Sequence, residues 1–143
     1  VDGNWRWKAM IPKFRAWDKR KQLMREVAVL HFNKNGNVSG IEYWKTPYDL
    51  QSIHANYINV MQSTGLKDKN GVEIFERDIV KVSNHPFQKK EDSAGIEIDG
   101  DYLIGWSDHN LTWLAGDLLL YQLKPYIEVI GNIYENPELL EVE

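Results

Sequence analysis

The sequence has 143 residues, 17 basic and 21 acidic side chains, a net charge of −4 and 43% hydrophobic residues; a chain of this size folds as one globular domain that buries roughly 70% of its unfolded-state surface. The absence of cysteine excludes disulfide scaffolds, zinc ribbons, thiol redox motifs and cysteine nucleophiles, and agrees with a reducing cytoplasm. No apolar run reaches the ~18 residues of a membrane span, and the first ten residues lack the apolar centre of a signal peptide.

Met10 is followed directly by a strand-like stretch, so residues 1–9 read as an upstream extension or expression remnant and residues 10–143 as a single domain. Phe14 and Ala16 alternate with Lys13 and Arg15 as in a half-buried strand, and Lys19, Arg20 and Lys21 mark a solvated connection. Residues 27–32 form a β-branched and aromatic strand that stops at Asn33-Lys34-Asn35-Gly36-Asn37, a hairpin signal, and residues 38–44 return. In residues 47–57, Leu50, Ile53 and Tyr57 have helical spacing, which predicts one short helix.

A second hairpin joins residues 57–64 to Val72-Glu73-Ile74 through the turn ending at Asn70-Gly71, and residues 78–82 are a further strand. Residues 83–94 are polar enough for a surface loop, and strands resume at 95–98 and 101–106 with Asp99-Gly100 as a two-residue turn between them. Residues 111–123 are apolar and broken at Gly116-Asp117; residues 126–134 alternate as a strand; Asn136-Pro137 opens a short helical turn. Many short strands with one or two short helices make the class mainly β, or α+β.

The charge is unevenly spread: residues 1–71 carry 12 basic and 6 acidic side chains, residues 72–143 carry 5 and 15. Within one domain such halves pair with each other; the sharper alternative is a basic face that meets the acidic face of a second copy or another negative partner. Lys13, Arg15, Trp17, Lys19, Arg20, Lys21 and Arg25 concentrate charge and an aromatic ring in one segment, a pattern suited to phosphate contact and base stacking. The pI near 5.6 opposes that reading, since dedicated nucleic-acid domains lie above about 9.

Six tryptophans are present; Trp17 and Trp106 are assigned to packing, and Trp44, beside Tyr43 and Lys45, to the surface. For catalysis the raw material is Asp99, Asp101, Asp108 and His109. Asp99 and Asp101 on one strand would face the same side and could share Mg²⁺, but Asp-Gly is equally turn chemistry. His31, His54 and His85 lack ligand spacing, and neither a phosphate-binding glycine loop nor a nucleophile elbow occurs. No catalytic residue, metal or cofactor is assigned, and the sequence reads as that of a non-enzyme.

Three blocks carry a family resemblance: KFRAWD at residues 13–18, VMQSTGLKDKNGVEIFERDIV at 60–80 and EVIGNIYENPELL at 128–140. Together they resemble the YopX family of phage and prophage proteins, from Met10 to the C-terminus. The family pattern has glycine or another small residue where this chain has Arg77, so a positive φ there would strain the backbone. The resemblance implies a compact β-rich domain encoded by mobile elements and working in a bacterial cytoplasm, with no established activity and no catalytic residues to carry over. The strand pattern from residue 76 onward also resembles a small SH3-like barrel, placed in the C-terminal part.

The expected function is that of a phage or prophage protein working as a non-enzymatic protein–protein interaction module. It would self-associate as a homo-oligomer, with a phage or host protein as a further partner and no membrane. Its binding residues would be Lys13, Arg15, Trp17, Lys19, Arg20 and Trp44. The alternative is a nucleic-acid-binding accessory protein that uses residues 13–25.

Overall fold

The computed structural model describes residues 11–86 and 97–140; the leader proposed for residues 1–9 and most of the polar loop after residue 86 lie outside them. Strands β1 (Phe14–Asp18), β2 (Leu23–Phe32), β3 (Val38–Thr46), β4 (Asp49–His54), β5 (Ile58–Lys67) and β6 (Glu73–Phe75) form one sheet in the order β4-β3-β2-β1-β5-β6. Strands β7 (Asp78–Val82), β8 (Gly100–Ser107), β9 (Thr112–Ala115), β10 (Leu118–Leu119) and β11 (Ile127–Asn132) form a second, in the order β10-β9-β8-β7-β11. All pairings are antiparallel. The one α-helix among the described residues, α1 (Leu120–Leu123), is a single turn, and 3-10 turns occupy Ala55–Tyr57, Lys124–Tyr126 and Pro137–Leu140. The class is mainly β, as expected. None of the described helices is long and apolar enough to cross a membrane.

The β2–β3 hairpin follows from its asparagines. Asn33 Oδ1 accepts the N–H groups of Asn35 (2.9 Å) and Asn37 (3.1 Å), and Gly36 takes the left-handed φ of 82° that a Cβ disfavours. The helix expected in residues 47–57 is a strand instead. Thr46 Oγ1 accepts the N–H groups of Tyr48 (3.2 Å) and Asp49 (3.1 Å), which closes a tight turn around Pro47 and folds β4 back onto β3. Leu50 then stands opposite Trp44 and Ile53 opposite Ile41. Three residues apart on a strand, Leu50 and Ile53 face opposite sides, and only Ile53 is buried.

Two further expectations are corrected. Residues 97–99 are not a strand, and the Asp99-Gly100 hairpin turn is absent: the Asp99 carboxylate accepts the N–H groups of Asn84 and His85 and so fastens the start of the preceding loop. The SH3-like barrel is not closed. Edge strands β10 and β11 are not paired, because β10 has only two residues before the chain turns into α1.

The core has two parts. Val80, Val82, Ile104, Ala115 and Ile127 of the second sheet pack together with Leu120 and Leu123 of α1 and Ile74 of β6; Ala16, Ile41, Tyr43, Ile53 and Ile58 pack on one face of the first. Buried Asp68 ties the sheets: its Oδ1 accepts Asn70 and Val72 N–H within the β5–β6 turn, and its Oδ2 accepts Val129 N–H from β11 at 2.9 Å. Two ion pairs also join the basic and acidic halves of the chain, Lys13–Glu73 and Arg15–Asp78.

Arg77, in the two-residue turn from β6 to β7, has φ 72°, the left-handed conformation its family position implies. Its N–H donates to Ile104 O (2.9 Å) and its carbonyl accepts Ile133 N–H (3.2 Å), so β8 and the turn after β11 hold it there. Arg77→Gly is expected to raise stability by about 0.5–1 kcal/mol, the strain relieved less the extra freedom of glycine in the unfolded chain. Urea unfolding reads this, and a lower midpoint for the variant would refute it.

Candidate functional site

The β1–β2 turn builds a charged cleft from one buried carboxylate. Asp18 ends a central strand and is wholly buried. Its Oδ1 accepts the N–H groups of Arg20 (3.0 Å) and Lys21 (3.3 Å), which folds the Lys19–Gln22 turn around it, with Gln22 at φ 57°. The same oxygen accepts Arg20 Nε at 3.4 Å, while Oδ2 accepts Arg25 Nε (3.2 Å) and Nη2 (3.1 Å) from β2. Arg25 in turn lies over the Tyr43 ring, 4.5 Å from its centroid, and Tyr43 donates its hydroxyl to Gln51 Oε1 at 3.2 Å. Arg20, Lys21, Arg25, Tyr43, Lys45 and Gln51 thus line one cavity of about 590 Å³.

Electrostatically this corner is built for charge. Burial pushes the Asp18 carboxyl up, but the Lys21 N–H, the Arg25 and Arg20 side chains and the Arg20 N–H outweigh it and hold the group below its ordinary value. Asp78, at the start of β7, behaves oppositely: burial raises it, and Arg15 at 2.7 Å with the Phe75 N–H at 2.8 Å offsets only part of the rise. On the surface, burial works against Glu73, yet its bonds from Lys13 and Ser63 keep it low, and Lys13 is raised by the same contact.

The structure separates the residues nominated from the sequence. Arg20 lies in the cleft, with Lys19 exposed in the same turn. Lys13 bonds Glu73, and Arg15 is committed to Asp78 and to the Phe75 ring, 4.7 Å away. Trp17 is buried and stacks on Tyr134 with centroids 5.5 Å apart. Trp44 is exposed, as anticipated, and leaves 45% of its surface in solvent; Leu50 opposite it (43%) and Tyr48 in the turn (90%) extend that apolar tip. Trp106, assigned to packing, is 48% exposed, and its ring meets Trp113 edge-on with centroids 5.3 Å apart.

The sequence reading missed Tyr43, Lys45 and Gln51 as cleft residues and Tyr48 and Leu50 as parts of the tip. Strand alternation from Trp44 was the available signal for Tyr43 and Lys45. Gln51 and Leu50 required β4. Asp99, one of the two carboxylates weighed as cation ligands, accepts the N–H groups of Asn84 and His85, and among the described residues no group of three or more acidic or histidine side chains is placed to hold a metal ion. His31 pairs with Glu42 at the surface at 3.0 Å, and His54 caps the Ala55–Tyr57 turn through Asn56 N–H. Asp108 accepts the Trp106 Nε1–H at 2.8 Å.

Comparison with known proteins agrees with this architecture. The family model described as YopX protein matches residues 13–141. Among solved structures, the crystal structure of protein EF1440 from Enterococcus faecalis is similar, with 34% sequence identity and a TM-score of 0.64 over 93% of this chain and 100% of that one. A search of the curated proteins finds no match. The chain belongs to the YopX family.

Proposed function

We propose that this YopX-family protein is a non-enzymatic protein–protein interaction module that self-associates in the bacterial cytoplasm, with the β3–β4 hairpin as its contact surface. The observation that supports the reading is the apolar tip: Trp44 and Leu50 stand directly opposite each other on one face, and Tyr48 projects from the turn between them. Covering apolar surface of this kind yields about 25 cal/mol per Å², and Trp and Tyr are the side chains that most often anchor interfaces. The tip also lies on an edge strand, since β4 ends its sheet, and an edge strand offers unpaired backbone groups to another chain. Antiparallel pairing of β4 with β4 of a second copy is self-complementary and closes as a two-fold dimer. A phage or host protein would use the same edge.

Size-exclusion chromatography with light scattering tests this across micromolar concentrations. A dimer is expected, and Leu50→Lys is expected to weaken it about tenfold or more, because it puts a charge in place of apolar contact surface. A monomer at every concentration, at both low and high salt, would reject the reading.

A further inference from the structure

We infer that the cleft between the β1–β2 turn and strands β2, β3 and β4 is a binding site for a phosphate-bearing ligand. Its volume of about 590 Å³ falls within the range of roughly 300–1,000 Å³ usual for ligand sites. Its walls carry Arg20, Lys21, Arg25 and Lys45, and no carboxylate lines it. Among the described residues, Asp18 is the one acid paired with these cations; it lies wholly buried, and its ion pairs are with the Arg20 and Arg25 side chains. Lys21 and Lys45 make no ion pair with a described residue. A chain whose net charge is −4 thus gathers four cations against one acid in a single concavity, where their mutual repulsion is relieved by an incoming anion.

The arrangement discriminates among anions. Arg25 is held rigid by Asp18 below and the Tyr43 ring beside it, with Nη1 left over, and Arg20 spends Nε on Asp18 and keeps both Nη groups. One guanidinium fixed by two hydrogen bonds, a second tethered through Nε at 3.4 Å, and two flexible ammonium groups suit a tetrahedral anion that presents several oxygens, better than a flat carboxylate that one guanidinium satisfies. Arg25 already covers the Tyr43 face, so the cleft offers no free ring on which a base would stack. Recognition is therefore through the phosphate and independent of base identity. A nucleic-acid backbone and a free phosphate compound share this chemistry.

The two sources are separated with two probes at low salt: a fluorescein-labelled twelve-nucleotide oligo-dT, read by anisotropy, and pyrophosphate, read by the shift in melting temperature. Lys21→Glu and Lys45→Glu reverse exposed charges that make none of the hydrogen bonds holding Asp18, so both variants are expected to keep the wild-type melting temperature without ligand. Each is expected to weaken the responding probe about tenfold or more, while Lys34→Glu, in the β2–β3 turn, leaves it unchanged. Response to oligo-dT alone, with a slope against log salt near −0.7 per phosphate contacted, identifies a backbone; a pyrophosphate shift that also displaces oligo-dT identifies a free phosphate compound. The inference is overturned if neither probe binds, or if Lys34→Glu weakens binding as much as the cleft variants. Lys45 and Trp44 face opposite sides of β3, so Lys45→Glu is expected to leave any dimer intact and the two surfaces can fail separately.

Discussion

Arg15→Ala is expected to lower the free energy of unfolding by about 3–5 kcal/mol, a structural effect at a position the sequence marks as a binding contact. Asp78 is buried at the head of β7, where Oδ1 receives Arg15 Nη2 at 2.7 Å and Oδ2 receives the Phe75 N–H at 2.8 Å. Removal of the guanidinium strands a carboxylate that burial already holds above its ordinary pKa with Arg15 in place, and uncovers the Phe75 ring. The intact pair is not itself a large source of stability, because Arg15 Nε is buried without a hydrogen-bond partner and desolvation of both ions opposes their attraction.

A double-mutant cycle separates these statements. Asp78→Asn added to Arg15→Ala is expected to recover part of the loss, since a neutral amide needs no counter-ion and still accepts the Phe75 N–H. The pH dependence has a definite sign. A carboxyl whose pKa is higher in the folded chain favours folding when protonated. That advantage is complete below the ordinary carboxylate pKa and vanishes as pH rises through the folded value. The Arg15→Ala deficit should therefore shrink in acid. Urea unfolding at neutral and acid pH reads both effects, and a single variant within about 1 kcal/mol of wild type would show that Asp78 has no need of Arg15.

Local chemistry made most strands readable: alternation in β1, the Asn35-Gly36 and Asn70-Gly71 turns, and the break at Gly116 all reappear in the structure. The left-handed backbone at Arg77 was hinted at only through the family resemblance, whose pattern has glycine or another small residue there. The failures share a physical origin. Leu50, Ile53 and Tyr57 satisfy a helical spacing, but the Thr46 hydroxyl closes a turn and cross-strand pairing with β3 overrides that periodicity. Once β4 was missed, Gln51 could not be placed beside Tyr43, so the cleft had no far wall. The basic segment appeared as one surface because charge was counted along the chain. In the fold, Arg15 and Trp17 turn to one side of β1 and meet Asp78 and Tyr134, whereas Asp18 draws Arg20 and Arg25 to the other.

Asp18→Asn is the second large effect, a loss of about 3 kcal/mol at neutral pH, at the low end for a broken buried pair because Arg25 keeps some access to water. The wild-type carboxylate accepts five hydrogen bonds, from two backbone N–H groups, Arg20 Nε, and Nε and Nη2 of Arg25. An asparagine can preserve those at Oδ1, but its amide nitrogen then faces the two Arg25 donors, so donors meet donors. The sign of the pH dependence is opposite to that at Asp78. Asp18 has a folded pKa below its ordinary value, so its contribution is present above the unfolded carboxylate pKa, near 3.9, and is lost as pH falls through the folded value. The gap between wild type and Asp18→Asn should thus stay constant from pH 7 down to that ordinary value and close only in stronger acid. The variant should also bind oligo-dT or pyrophosphate more weakly despite losing a negative charge beside the cleft, because Arg25 loses the two bonds that orient it. Tighter binding would mean that net charge alone, without the arrangement Asp18 imposes, governs the cleft.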